Sequence, residues 1–149
     1  MEQFIGTKIV QAEPMSRSDW HESKGWPVPI EDGWDGEGYK VRYEDGYESW
    51  SPKEVFEAAY RRTDGMNFGL AIEAAKMGKK ISRQGWNGKG QYVELGHSFQ
   101  YDTYGDERTT VHHDDIGSMA LVFVGTRGRQ VGWLASQSDM LADDWMILE

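Results

Sequence analysis

The stretch N-F-G-L-A-I-E-A-A-K-M-G-K-K-I-S-R, Asn67 to Arg83, reads as a helix that stops and hands over to a strand, and it sets the fold class. Asn67 is a helix-capping residue type. Phe68, Ala71, Ile72 and Ala75 recur at helical spacing and fall on one face. Gly78 ends the pattern, and Lys76, Lys79 and Lys80 complement the negative end of the helix dipole. Strands are expected at Lys80 to Arg83, Gln91 to Leu95, Ala120 to Val124, Gln130 to Leu134 and Trp145 to Leu148. Thr126-Arg127-Gly128-Arg129 joins two of them as a turn. A helix packed on an antiparallel β-sheet is an α+β domain. His97 to Ser118 is polar without a sustained period and reads as a long excursion between strands.

Upstream, Thr63-Asp64-Gly65 breaks the pattern and divides residues 1–63 from 64–149. The first part reads as a small strand-hairpin-helix unit. Phe4, Ile5, Ile9 and Val10 form a strand-like run that stops at Pro14, and Ser16 to Gly38 reads as a long irregular loop. Tyr39 to Tyr43 alternates, Glu44-Asp45-Gly46 turns, and Tyr47 to Trp50 alternates again, which is a hairpin signal. Ser51-Pro52-Lys53-Glu54 has the form of a capping box, with Ser51 as N-cap, opening a helix through Val55, Phe56, Ala59 and Tyr60.

The 149 residues carry 16 basic and 25 acidic side chains, a net charge of -9. That balance argues against a DNA or RNA polymer as partner, because phosphate neutralisation dominates such binding. A small anionic ligand needs only a local cluster of cations. No cysteine is present, so disulfides, thiolate metal sites and thiol nucleophiles are excluded. No apolar run reaches membrane-spanning length and none reads as a signal peptide, so no membrane partner is expected.

Two segments concentrate binding chemistry. In R-Q-G-W-N-G-K-G, Arg83 and Lys89 offer charge to phosphates, Trp86 offers a flat ring, and Asn87-Gly88-Lys89-Gly90 can turn successive backbone N–H groups toward an anion. The same letters describe a hairpin turn with a buried tryptophan and solvated cations. The spacing is not that of a nucleoside triphosphate loop. In W-L-A-S-Q-S-D, Trp133 is a second ring, and Ser136, Gln137 and Asp139 can read hydroxyls and base edges. The structural alternative there is a capped helical turn, whose N-terminus is itself attractive to anions.

His112-His113-Asp114-Asp115 has no metal-ligand spacing, and adjacent side chains of a strand point to opposite faces. Asp143-Asp144 reads as a pair of solvated acids in a turn. Neither a serine-nucleophile element nor a zinc-peptidase motif is present. No cofactor is expected, and binding is favoured over catalysis.

Taken in order, N-F-G-L-A with G-K-K-I, then R-Q-G-W-N-G-K-G, then W-L-A-S-Q-S-D-M-L-A-D-D-W resemble the second type of Thoeris anti-defence protein, found in bacteriophages and prophages. The resemblance covers roughly residues 66–149, and the closing block is its strongest element. It implies a non-enzymatic sponge that holds the cyclic ADP-ribose-type signal (gcADPR-type) of the Thoeris TIR enzyme, so that the effector stays off in the host bacterial cytoplasm during infection. It also implies cyclic dinucleotides as a second ligand class and a homo-oligomer, a dimer of dimers with pockets between protomers. The ligand-binding residues expected on this basis are Arg83, Trp86, Asn87, Gly88, Lys89, Trp133, Ser136, Gln137 and Asp139. Substitution of Arg83 or Trp86 is expected to abolish binding without unfolding the protein. Residues 1–63 resemble a small module of phage proteins with no assigned role. Two alternatives stand beside the sponge: a phosphodiesterase acting through His112, His113, Asp114 or Asp115, and a protein-binding accessory module.

Overall fold

Two helix caps, Ser16 and Asn67, open the first helix of each half of the chain. A computed structural model describes residues 1–86, 90–96, 98–102, 108–112 and 119–149, with backbone alone for 98–102 and 108–112. The chain divides into two compact units, Met1–Arg61 and Arg62–Glu149. Among the described residues no helix is long and apolar enough to cross a membrane.

The first unit contains β1 (Gln11–Pro14), α1 (Arg17–Ser23), β2 (Gly38–Arg42), β3 (Glu48–Pro52) and α2 (Lys53–Ala59). The strands form an antiparallel sheet in the order β1-β2-β3. The hairpin follows its sequence signal: Gly46 takes φ 84°, a left-handed value that favours glycine, and its N–H donates to the Tyr43 carbonyl. Three expectations are corrected. Phe4, Ile5 and Ile9 are exposed and outside any strand, which starts only where β2 supplies a partner at Gln11↔Arg42. The segment read as irregular contains α1, because Ser16 Oγ accepts the Asp19 N–H at 3.0 Å and Trp20 is buried. Ser51 does not cap α2. It is paired with Tyr39 in β3, so the N-cap position falls to Pro52, which has no side-chain cap.

The second unit contains α3 (Phe68–Lys76), β4 (Lys80–Arg83), β5 (Tyr92–Gly96), β6 (Ser98–Asp102), β7 (Arg108–His112), β8 (Ala120–Gly125), β9 (Gly128–Val131), α4 (Gln137–Met140) and β10 (Trp145–Leu148). Five of these strands make an antiparallel sheet in the order β10-β4-β5-β8-β9. Helix α3 lies on β10, β4 and β5. It presents Ala71, Ala74 and Ala75 to the sheet, and such small side chains let helix and sheet approach closely. They bury Met66, Ile81, Val93 and Trp145 between the layers. The α+β class is thereby established.

Two strand expectations change. The backbone within the polar excursion pairs as a hairpin, β6 with β7 from Ser98↔His112 to Asp102↔Arg108. The strand expected to run to Leu134 ends at Val131, because Gly132 turns at φ 81° and the Gly132 and Trp133 amides both donate to the Leu121 carbonyl. Trp133 therefore leaves the sheet.

Asn67 Oδ1 accepts the Leu70 N–H at 2.9 Å, one of the amides that the start of α3 cannot satisfy internally. Asn67→Ala is expected to lower the unfolding free energy of this unit by about 1 kcal/mol in urea melts. An unchanged midpoint would show that the cap contributes nothing.

Candidate functional site

The two chemistry-bearing segments meet because β4 and β10 are neighbours, with Arg83 opposite Trp145. The turn after β4 is consequently laid against the turn before β10. Gln84 N–H donates to the Asp144 carbonyl at 3.1 Å, and Gly85 N–H donates to Asp144 Oδ2 at 3.0 Å. Arg83 reaches both acids: Nε to Asp144 Oδ1 at 2.8 Å, and Nη1 to Asp139 Oδ1 at 2.9 Å. The rigid guanidinium fork suits such a double contact.

Asp139 is the hub. Its Oδ1 accepts from Arg83 and, at 3.2 Å, from Trp86 Nε1–H. Its Oδ2 accepts the Ser136 N–H at 3.0 Å and the Ser136 hydroxyl at 2.7 Å. The Asp139 N–H donates back to Ser136 Oγ, completing a capping box at α4. These four donors fill the acceptor positions of a carboxylate. Burial pushes Asp139 upward, yet the hydrogen bonds from Ser136, Arg83 and Trp86 outweigh it and hold the carboxyl at about 2. Asp144 is lowered by Arg83 first, opposed by burial and helped by the Gly85 N–H. Arg83 is raised in turn by Asp144 and Asp139.

Behind this polar layer stands an aromatic one. Trp86 lies edge-to-face against Phe123, Trp133 and Trp145, with centroids 5.7, 6.0 and 5.4 Å away. Trp133 and Trp145 meet in the same manner at 6.2 Å. Trp145 is completely buried, and its Nε1–H donates to the Asp139 carbonyl at 2.8 Å. Trp86 and Trp133 are half-buried at the margin of the core.

The expected site residues thus sort by place. Arg83, Trp86, Trp133, Ser136 and Asp139 are brought together, and Arg83 and Asp139 are engaged by each other. Gln137 and Ser138 are exposed. Asn87, Gly88 and Lys89 lie outside the described residues, as do His97, His113, Asp114 and Asp115, while His112 is described by backbone only. Helix α4 is one turn, and its capping box already takes up amides at its start. Asp144 corrects the reading of a merely solvated pair: Asp143 is exposed, whereas Asp144 holds Arg83. It stands in the closing block of the sequence, but nothing in that block tells what it touches. Its role follows only from the β4–β10 register, which places the residue before Trp145 beside Arg83.

The sequence profile of the Thoeris anti-defense 2-like domain matches residues 66–148, within the second unit. Among curated proteins, Thoeris anti-defense 2 of Bacillus phage SP01 is 33% identical over 92 residues, covering 56% of this chain and 94% of that protein.

Proposed function

The chain belongs to the Thoeris anti-defense 2-like family, and on that premise we propose that it sequesters the cyclic ADP-ribose-type signal of Thoeris immunity without cleaving it. A phage anti-defence role follows from the family. Capture of a gcADPR-type molecule in the host cytoplasm is the finer reading, with cyclic dinucleotides as a second ligand class.

The observation that carries it is the interlocked block of Arg83, Asp139, Asp144, Trp86 and the Ser136 turn. A sponge must outcompete an effector, which calls for nanomolar affinity, about -12 kcal/mol. Such affinity needs side chains fixed before the ligand arrives. In this reading Trp86 and Trp133 contact the base or ribose, and Gln137 reads polar edges. Asn87, Gly88 and Lys89 take the phosphates. Arg83, Ser136 and Asp139 serve the site by holding it in shape, since their polar atoms are already paired.

We further place a second copy of the chain against this region, forming a homo-oligomer whose expected arrangement is a dimer of dimers. All four residues of the sheet-edge strand β9 are exposed, and Leu134 beside the site is 89% exposed. An exposed sheet edge and an exposed apolar side chain at the margin of a site favour closure by a partner protomer.

A titration of melting temperature with a gcADPR-type ligand tests binding. At a hundredfold excess over Kd the native state gains about 2.7 kcal/mol, which raises the transition by several degrees. No shift with either ligand class would favour the accessory-protein reading.

A further inference from the structure

Asp144 lies outside the expected ligand contacts, yet it accepts from both the side chain and the backbone of the turn that carries Trp86. Its carboxylate receives Arg83 Nε at 2.8 Å, Arg83 Nη2 at 3.5 Å and the Gly85 N–H at 3.0 Å. A side chain on Gly85 would begin 3.1 Å from Asp144 Oδ2, so the turn and the carboxylate are closely fitted. Arg83 then passes the constraint on to Asp139 Oδ1, the atom that receives Trp86 Nε1–H.

We infer that Asp144 is a positioning residue of the ligand site, acting through Arg83 and Asp139 to fix the Trp86 ring against the Ser136 turn. The inference rests on the ligand-binding reading proposed above. Its physical basis is that Arg83, left without Asp144, has one carboxylate instead of two and is free to pivot about Asp139. The Arg83 side chain is 19% exposed, and the Asp139 and Asp144 side chains 14% and 33%. The interaction is therefore less screened than a surface pair, and its charge-assisted hydrogen bonds are stronger than neutral ones. Freeing it lets Trp86 sample orientations that the ligand must then pay to suppress.

Calorimetric titration of the full chain with a gcADPR-type ligand, together with indole hydrogen exchange, tests this with four variants. Asp144→Asn is expected to weaken binding at least about tenfold, and Asp144→Glu, which keeps the charge, to recover most of that loss. In an Arg83→Met background, adding Asp144→Asn is expected to change the hydrogen-exchange rate of the Trp86 indole N–H by less than about twofold, because the route through Arg83 is already cut. Equal affinity in wild type and Asp144→Asn, or fully additive effects on exchange, overturns the inference. Should the Asn variant not fold, Arg83→Lys replaces it with the same expected loss, since an ammonium cannot fork to both acids.

Hydrogen exchange at the Trp86 indole N–H decides the clamp without ligand. Exchange is expected to be slow in wild type and markedly faster in Asp144→Asn, and equal rates overturn the inference. A wild-type protein that binds no ligand refutes the ligand-binding reading, and with it the assignment of Asp144 to a ligand site. The exchange measurement still reports on the clamp itself.

Discussion

Trp145→Ala is expected to remove a large share of the stability of the second unit. The ring is fully buried and packs among Met66, Ala71, Ala74, Ala75, Ile81 and Val93. It also contacts Phe68, Trp86 and Trp133, so its removal opens a void bordered by three aromatic rings. Large-to-small changes of this type cost about 4 kcal/mol. The Asp139 carbonyl loses its indole donor as well. A domain of this size has total stability on the order of 5–15 kcal/mol, so such a loss consumes much of it. Trp145→Phe separates the contributions: it keeps most of the packing and loses the N–H. Urea melts should rank wild type above Trp145→Phe and both well above Trp145→Ala. A Trp145→Ala protein as stable as wild type would mean that the core is not centred on this ring.

Arg83→Ala carries the second large effect, a loss of stability short of unfolding. Removing it leaves Asp139 and Asp144 without their shared cation. Breaking fully buried pairs costs roughly 3–5 kcal/mol, and the partial exposure of this cluster reduces the expectation to about 2 kcal/mol. Acid dependence identifies the cause. Both aspartates are held below the ordinary carboxylate range in the folded state, Asp139 at about 2. Their contribution is therefore present above the unfolded value near 3.8 and is lost as pH falls toward 2. In Arg83→Ala that loss is smaller, because protonation relieves unpaired carboxylates. The stability gap between wild type and variant should narrow between about pH 5 and 2. Parallel pH profiles would show that the guanidinium contributes packing rather than charge.

The second unit was legible where one residue or a short period dictates structure. Asn67 and Gly78 bound α3, and Lys80–Arg83 and Trp145–Leu148 form strands where alternation and flanking turns placed them. Elsewhere the deciding interaction is long-range. Ser51 has the chemistry of a cap, but its pairing with Tyr39 keeps it in a strand. Ser16 lies in a stretch whose glycines, prolines and tryptophans hide a helix of only seven residues. The candidate site divides in the same way. Residue types pointed to Trp86, Trp133 and a turn capped by Ser136 or Ser138, since rings and hydroxyls announce their chemistry. They could not show that Arg83 faces inward to two acids, because those partners lie 56 and 61 positions away. The role of Asp144 was hidden for that reason, although Arg83 and Trp145 become neighbours as soon as β4 and β10 pair.

Sequestration is tested most directly by the chemical state of the bound ligand. Purified protein is mixed with a gcADPR-type signal, freed of unbound ligand, heated, and the released material is analysed by mass. The intact signal, returned in proportion to the protein, is the expected result. A cleaved product would contradict sequestration and direct attention to the segment from His112 to Asp115.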